Sequence, residues 1–280
     1  MIRLVLRVPA ERAEIVLAEL LELVPGGVEE SDSGEFVEFA VYGAPGELPE
    51  LPDLRAAAAG GLVEVATEEI PDDWHERWRA FHRPVAIAPA GPGEPGLYVR
   101  PPWESSAGEG VLEIVVDPGR AFGTGSHATT RLSLELLLAQ TAHSGPGPVV
   151  DVGTGSGVLA IAAAKLGHAP VLALDNDPLA VAAAAENAAV NGVEVAVALM
   201  DLRREVLALP NAPNTLVLAN LLRPLLLELA PALPFAPLAL IASGLLAQEA
   251  DEVAAAFAAR GLALAERREL DGWAALLLRR

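Results

Sequence analysis

The second half of the chain alternates short apolar runs with longer segments whose apolar residues recur at helical spacing. Each short run is apolar at consecutive positions, as expected of strands in a parallel sheet that helices cover on both faces. This alternation predicts an α/β domain. Its predicted strands are residues 148–152, 170–175, 193–199, 214–219 and 237–242, and its predicted helices are residues 156–166, 178–191, 222–230 and 246–260.

The last segment of the α/β domain, LALAERRELDGWAALLLRR, predicts two further strands. Asp271 and Gly272 lie between them, and this dipeptide strongly favours a tight turn between antiparallel strands. We therefore expect the sheet to end in a hairpin whose final strand is antiparallel to its neighbours.

The first 67 residues have a different pattern. Residues 2–8, 36–42 and 62–66 are strand-like, and residues 10–23 carry apolar residues on one helical face. This order predicts a small α+β domain over residues 1–67. The apolar face of its helix consists of Ala13, Val16, Leu17, Leu20 and Leu21.

A short helix is predicted between the two domains, in the segment DDWHERWRAFHRP. An Asp cap begins this helix and a proline ends it. Its aromatic stripe is more typical of packing than of ligand binding. We assign residues 68–84 to a linker helix and 85–280 to the larger domain, which opens with strand-like pieces between residues 85 and 117. The stripe consists of Trp74, Trp78 and Phe81.

Composition favours a folded protein with a large core, because 52% of the 280 residues are hydrophobic. No apolar run approaches the roughly 18 to 20 residues that a membrane span needs. The first residues lack the apolar core and cleavage site of a secretion signal, so we expect a soluble, cytoplasmic protein without a membrane partner. The absence of cysteine excludes disulfides and thiolate zinc sites.

The chain is strongly acidic, with a formal net charge of −19. Because a phosphate backbone would repel it, nucleic acid is a poor candidate for a direct partner. A basic protein partner would be attracted. The alternative interpretation is that the acidity serves only solubility. The sequence does not fix the oligomeric state, and a monomer is our expectation.

The segment VVDVGTGSGVLAIAAAKLG combines a strand, a glycine-rich turn and a helix, which is how α/β proteins hold nucleotide-like ligands. Gly153, Gly155 and Gly157 follow the pattern G-x-G-x-G, whereas a dinucleotide turn has G-x-x-G as its second half. A Walker-type phosphate loop would need Gly-Lys-Ser/Thr, which is absent here, so ATP of that class is excluded. NAD and S-adenosylmethionine (SAM) remain as candidates.

Two carboxylates near this turn favour SAM. Asp151 would oppose a pyrophosphate but suits the ammonium group of a methionine moiety. A role as cap of the following helix is the alternative, although Asp151 comes early for it. Asp175 ends the next strand, where an acid can accept hydrogen bonds from both ribose hydroxyls of NAD or SAM. Asp175 could instead cap a helix, but Asp177 before Pro178 is better placed for that.

A second glycine-rich loop, DPGRAFGTGSHATT, spans residues 117–130. Thr129 and Thr130 open a helix whose N-terminal N–H groups would favour a carboxylate, so the segment could cover the methionine tail of SAM. The alternative is an ordinary loop in which one of these threonines caps the helix. His127 is either a proton acceptor or a hydrogen-bonded structural residue. The loop glycines are Gly119, Gly123 and Gly125.

Asn220 ends the strand LVLAN, at the carboxyl edge where α/β sheets bind ligands. Its amide has both donors and an acceptor, so it could hold the methionine group or orient the lone pair of an amine. Capping of the helix 222–230 is the competing role. The remaining histidines lack metal-ligand spacing, and we predict no metal site.

The motifs DPGRAFGTGSHATT, DVGTGSGVLAIAAAKLG, LDNDPLAVAAAAENAAVNG and ANLLRPLL resemble those of the PrmA family, the bacterial methyltransferases of large-subunit ribosomal protein L11. The similarity spans about residues 72–280, whereas residues 1–65 agree only in element order. AFGTGSHATT is highly specific, whereas many SAM enzymes share the G-x-G-x-G turn. The connection TAHSGPGP is the local departure.

The resemblance implies a Rossmann-like class I methyltransferase sheet of seven strands, with the small N-terminal domain recognising the ribosomal protein. It implies SAM as cofactor and transfer of methyl groups to lysine side chains and the N-terminal α-amine of L11. By motif position it places Thr130, Gly153, Asp175 and Asn220 on the cofactor. From the residues we add Asp151 and Gly155 to this set, and assign Asn220 as the catalytic residue that orients the amine.

Other functions share parts of this pattern. A SAM methyltransferase for another protein or a small-molecule amine would have the same cofactor residues. A dinucleotide-dependent oxidoreductase and a non-catalytic adaptor are further alternatives. The amines that are modified and the number of methyl groups added are beyond what the sequence fixes.

Overall fold

A computed structural model describes two compact units of the chain, Met1–Phe81 and His82–Arg280. The helix predicted at 72–84 and its aromatic stripe lie outside the described residues, apart from residues 83 and 84. The same is true of the loop glycines between residues 118 and 126. The described residues are 2–9, 12, 13, 16, 29–32, 36–43, 64–69, 83–91, 93–108, 110–117, 127–210 and 212–280.

The first unit contains a four-stranded antiparallel sheet in the order β2-β3-β1-β4. The alternating apolar residues of β1 and β3 form its core, which includes the fully buried Leu6 and Phe39. Ala13 and Val16 of the predicted helix 10–23 are buried with them, and most of that helix lies outside the described residues. The sequence patterns missed β2. The strands are β1 (Ile2–Pro9), β2 (Glu29–Asp32), β3 (Phe36–Gly43) and β4 (Glu64–Glu69).

A three-stranded sheet opens the second unit and confirms the strand-like pieces predicted before residue 117. It consists of β5 (Val85–Ile87), β6 (Gly96–Arg100) and β7 (Val111–Val115). β5 is antiparallel to β6, and β7 is parallel to β6. Within the described residues, β7 therefore has a strand partner on one edge only.

The remainder of the second unit is built on a seven-stranded sheet with the order β10-β9-β8-β11-β12-β14-β13. β14 is antiparallel to both of its neighbours, and the other neighbouring pairs are parallel. The predicted α/β fold and C-terminal hairpin are confirmed. The strands are β8 (Val149–Val152), β9 (Val171–Asp175), β10 (Ala196–Leu199), β11 (Leu216–Asn220), β12 (Ala239–Leu246), β13 (Ala263–Leu270) and β14 (Trp273–Arg279).

Helices cover both faces of this sheet, which explains why its central strands are apolar at consecutive positions. Leu218 belongs to the core cluster that contains residues of α1, α2 and α3, whereas its neighbour Val217 belongs to the cluster that contains residues of α4 and α5. No helix among the described residues is long and apolar enough to cross a membrane. The helices are α1 (Ala128–Ser144), α2 (Val158–Lys165), α3 (Pro178–Val190), α4 (Arg223–Ala232) and α5 (Ala250–Ala258).

The predicted end of β12 and start of the last helix were wrong. β12 continues past residue 242 to Leu246 because a β-bulge between Ser243 and Leu245 lets its pairing with β14 resume. A short 3₁₀ turn, Ala247–Glu249, then precedes α5. Gly244 lies in this bulge, where glycine is common within strands.

Candidate active site

The glycine-rich turn joins β8 to α2 at the carboxyl edge of the large sheet. The backbone N–H groups of Gly153 and Thr154 both donate to the carbonyl of Leu174 at the end of β9, over 2.8 and 3.0 Å. Gly153 has φ +72, a conformation that favours glycine. The turn is therefore fastened to the neighbouring strand and exposes backbone rather than side chains.

Asp151 lies at the centre of this arrangement and is fully buried. Its Oδ2 accepts hydrogen bonds from the Thr154 hydroxyl (2.7 Å) and from the Ala160 N–H in the first turn of α2 (3.2 Å). Its Oδ1 has no hydrogen-bond partner among the described residues. Burial raises the pKa of Asp151 from 3.8 to about 7, against the opposing effect of the two hydrogen bonds.

Asp151 therefore does take part in capping α2, although its position in the sequence is early for that role. Its Oδ2 accepts the N–H of Ala160, one of the N–H groups in the first turn that have no partner within the helix. The two residues are nine positions apart, so the contact is not evident from the sequence. The other oxygen is a buried acceptor that lacks a partner in the described protein, and such a group is costly unless something binds it.

Asp175 ends β9 and receives two backbone N–H groups. Its Oδ2 accepts from Gly155 (2.8 Å) and its Oδ1 from Asp177 (3.0 Å). Each carboxylate oxygen retains a further lone pair for another donor. Asp177 caps α3 by accepting from the Leu179 N–H, as its position before Pro178 predicted.

His127, rather than a threonine, caps α1. Its Nδ1 accepts from the Thr129 N–H (3.3 Å) and lies 2.8 Å from the Thr129 hydroxyl. The imidazole makes an edge contact with the ring of Trp273, with 4.9 Å between centroids. Partial burial lowers the pKa of His127. These contacts support the structural interpretation of this histidine.

Thr130 and Asn220 meet at the carboxyl end of β11. Thr130 is fully buried in the first turn of α1, and its Oγ1 accepts a hydrogen bond from Nδ2 of Asn220 (3.4 Å). Asn220 does not cap α4, because Leu222 occupies the N-cap and provides no side-chain hydrogen bond. The competing role considered for Asn220 was therefore wrong.

Leu221 is a site residue that the sequence patterns missed. A Cβ on Gly153 would clash with Cδ2 of Leu221, and a Cβ on Gly244 would lie 2.5 Å from the backbone oxygen of Leu221. Leu221 therefore packs between the glycine turn and the bulge of β12, and its N–H donates to the Ser243 carbonyl (2.9 Å). No local sequence pattern indicates this role, because Leu221 fits only where Gly153 and Gly244 both lack side chains.

A cavity of about 200 Å³ lies along the ends of β8, β9, β10 and β11. Gly153 and Asp175 are the sequence-predicted residues that line it. Asp201 and Leu202, which follow β10, line it as well. Position after a parallel strand could have indicated Asp201, by the same rule that selected Asp175 and Asn220.

Two arginines also line the cavity, but each is paired with an acid. Arg203 binds Glu228 (2.8 Å) and Arg204 binds Asp201 (3.2 Å). Among the described residues, the lining of the cavity therefore has no unpaired arginine of the kind that a phosphate-binding site uses. The part of the chain that the structure describes contains no group of three His, Asp or Glu side chains suited to a metal ion.

A family model described as ribosomal protein L11 methyltransferase (PrmA) matches residues 53–280. The chain belongs to the PrmA family. The PrmA match starts nearer the N-terminus than the resemblance drawn from motifs alone. As a member of this family the protein is a methyltransferase, and the dinucleotide-dependent oxidoreductase considered above is the wrong class.

Individual PrmA relatives extend the similarity over nearly the whole chain. The ribosomal protein L11 methyltransferase of Pelotomaculum thermopropionicum is 36% identical over 312 residues, covering 99% of this chain and 98% of the relative. That of Symbiobacterium thermophilum is 41% identical over 233 residues, covering 81% and 72%. The crystal structure of ribosomal protein L11 methylase from Lactobacillus delbrueckii subsp. bulgaricus is similar with a TM-score of 0.59 and 33% identity, covering 70% of this chain and 98% of that one.

Proposed function

We propose that this enzyme is a cytoplasmic, SAM-dependent N-methyltransferase that modifies amines of ribosomal protein L11. Lysine side chains and the N-terminal α-amine are the acceptors. The names of the relatives supply the protein substrate, and the motif resemblance supplies the amines. The observation that carries the cofactor assignment is the buried Asp151 oxygen that has no partner in the described protein.

The residues present fit SAM. Its ammonium group would satisfy the buried Oδ1 of Asp151, since a charged donor is the strongest partner for a carboxylate. Its ribose hydroxyls suit the remaining lone pairs of Asp175. The cavity volume, about 200 Å³, suits one moiety of such a ligand. When bound, SAM supplies a methyl group that its sulfonium has already activated.

Backbone groups complete the proposed cofactor site. Gly153 leaves room for the side chain of Leu221, which lines the cavity beside the turn. Gly155 fixes Asp175 through its N–H group. Thr130 lies at the N-terminus of the 17-residue α1, where N–H groups favour a carboxylate such as that of methionine.

Asn220 would orient the acceptor amine. Its amide oxygen can accept an N–H of the amine and direct the nitrogen lone pair, while its Nδ2 is held by Thr130. The amine must be neutral and held about 3 to 3.5 Å from the methyl carbon. Since the pKa of lysine is about 10.4 and that of an α-amine about 8, desolvation in the site has to lower the pKa of lysine further.

The acidic character of the chain suits a basic ribosomal protein. With a net charge of −19 the enzyme attracts such a partner over distance. We assign substrate recognition to residues 1–67, and methyl transfer to residues 85–280.

Mass spectrometry of L11 tests the proposal. The purified enzyme is incubated with SAM and unmethylated L11, and the intact protein and its peptides are weighed. Mass increments of whole methylene units on lysine peptides and on the N-terminal peptide are the expected result. The Asn220→Ala variant and a second basic ribosomal protein serve as controls. An unchanged L11, with methylation of another protein or small amine instead, would refute the substrate assignment.

A further inference from the structure

Asn187, in the second half of α3, contacts two segments that are far from it in sequence. It is 5% exposed. Its Nδ2 donates to the backbone carbonyl of Ser156 in the glycine turn (2.9 Å). Its Oδ1 accepts from the backbone N–H of Asp117, two residues beyond β7 (3.2 Å). The buried amide of Asn187 therefore connects the glycine turn to the segment that follows β7 of the three-stranded sheet.

Asn191, one helical turn further on, contacts the same strand but not the glycine turn. Its Oδ1 accepts from the Val115 N–H (2.9 Å) and its Nδ2 donates to the Val115 carbonyl (2.6 Å). Together the two asparagines bond to Val115 at the end of β7 and to Asp117 just beyond it, as a neighbouring strand would. Side-chain amides can do this because they carry a donor and an acceptor, like a peptide group.

The contact with Ser156 distinguishes the two asparagines functionally. Ser156 directly follows Gly155, whose N–H donates to Oδ2 of Asp175. An amide that fixes the Ser156 carbonyl therefore limits the motion of the Gly155 N–H group, and with it the position of the carboxylate. Asn191 has no such connection among its described contacts.

We propose that Asn187 is a positioning residue for cofactor binding, acting on Asp175 through the peptide groups of the glycine turn. This inference rests on the proposed SAM site. Asn187 touches neither cofactor nor substrate in this role. It sets the geometry of the turn before the cofactor binds, so its loss weakens SAM binding rather than methyl transfer.

Asn187→Asp tests the proposal with little change in volume. The aspartate keeps the acceptor for the Asp117 N–H but loses the donor to Ser156, and it places an oxygen against the Ser156 carbonyl. Asn191→Asp is the matched control, because it likewise keeps an acceptor, for the Val115 N–H, and loses a donor, to the Val115 and Asn187 carbonyls. Both variants are compared with wild type for urea unfolding, for the KM of SAM and kcat with L11, and for calorimetric binding of S-adenosylhomocysteine (SAH).

In Asn187→Asp the KM for SAM and the Kd for SAH rise about tenfold, as expected for a buried carbonyl that loses its donor, while kcat at saturating SAM stays within about twofold. In Asn191→Asp all three constants stay within about twofold of wild type. Equal effects of the two variants on KM, or a loss in kcat alone, would overturn the positioning role. If Asn187→Asp does not fold, Asn187→Ala gives the same comparison without an added charge.

The two assignments fail in different ways. If the wild-type enzyme binds neither SAM nor SAH, the proposed function is wrong and the role of Asn187 falls with it. If the wild type binds both and the two asparagine variants are indistinguishable, only the role of Asn187 is refuted.

Discussion

The side-chain amide of Asn220 donates a hydrogen bond to the hydroxyl of Thr130 over 3.4 Å, although 90 residues separate the two in the chain. The contact brings the end of β11 to the first turn of α1. It also fixes which way the amide of Asn220 faces, because Nδ2 is committed to Thr130 and the oxygen is left as the acceptor for another group.

Asn220→Ala is expected to lower kcat about a hundredfold, since a misplaced nucleophile costs a factor of this order. Thr130→Val, which removes only the acceptor for Nδ2, is expected to lower kcat about tenfold. Methyl transfer to L11 is measured with labelled SAM.

Asn214→Ala is the control for these variants. Asn214 lies just before the opposite end of β11 and donates to the Pro146 carbonyl (3.1 Å). Its loss should leave kcat unchanged. Turnover of Asn220→Ala at the wild-type rate would refute the assigned catalytic role.

The pKa of Asp151 makes the stability of the cofactor-free enzyme depend on pH. Because burial raises this pKa from 3.8 to about 7, the folded state binds more protons than the unfolded state between these values. The free energy of unfolding therefore falls as pH rises from about 4 to 7, by roughly 4 kcal/mol for three pKa units. In Asp151→Asn this component disappears, and the variant should unfold at higher urea concentration than wild type at pH 8.

Cofactor affinity should change with pH in the opposite direction. An ammonium group prefers the ionised carboxylate, so SAH binding strengthens as pH rises through about 7 and calorimetry detects proton release. Asp151→Asn should bind SAH at least about tenfold more weakly and with a flat dependence across this range. A variant that binds as tightly as wild type would show that Asp151 does not contact the ligand.

Asp175→Asn should raise the Kd for SAH about a hundredfold, because both ribose hydroxyls lose a charged acceptor. The hydrogen bonds from Gly155 and Asp177 can still form to the amide oxygen in part, so unfolding should change little. Asp177→Asn is the control, since asparagine caps helices as well as aspartate does. Equal Kd values for the two variants would place the ribose elsewhere.

Gly244→Ala is expected to be far more destabilising than Gly272→Ala. Both glycines have φ near +80, which costs an alanine about 1 to 2 kcal/mol. Only at Gly244 would the new Cβ also meet the backbone of Leu221, at 2.5 Å from its oxygen, whereas nothing lies within 4 Å at Gly272. Urea unfolding should show a loss of at least about 3 kcal/mol for Gly244→Ala, and equal losses would contradict the packing of Leu221.

Association with L11 should weaken with salt. Attraction between the acidic enzyme and a basic partner is screened over about 8 to 10 Å at physiological ionic strength, so the association rate should fall about tenfold or more between low and high salt. SAH binding, whose ligand has no net charge at neutral pH, is the control and should change little. An association rate that does not depend on salt would exclude steering by charge.

Several positions of the candidate site were chosen from the sequence because they follow from local pattern. Asp175 and Asn220 each end an apolar run, and strand ends in a parallel sheet meet at one edge. The role of Leu221 could not be predicted, because it depends on two glycines in segments that come together only in the fold. The His127 cap was missed since serine, threonine, aspartate and asparagine are the usual capping residues.

The limits of the fold prediction have a similar cause. The sheet, its hairpin and most helices follow from hydrophobic periodicity. β12 was cut short at residue 242 because its continuation depends on pairing with β14, which is a long-range interaction. β2, whose sequence is EESD, has no apolar residue to mark it and is held by its ladder with β3.

The position of β14 between β12 and β13 has a consequence for the order in which the large sheet can assemble. Residues 263–270 precede residues 273–279 in the chain, yet in the described structure β13 joins the sheet only through β14. The outermost strand on that side, β13, therefore cannot pair with the sheet before β14 is in place. Synthesis from the N-terminus therefore delivers β13 before β14, the strand that connects it to the sheet.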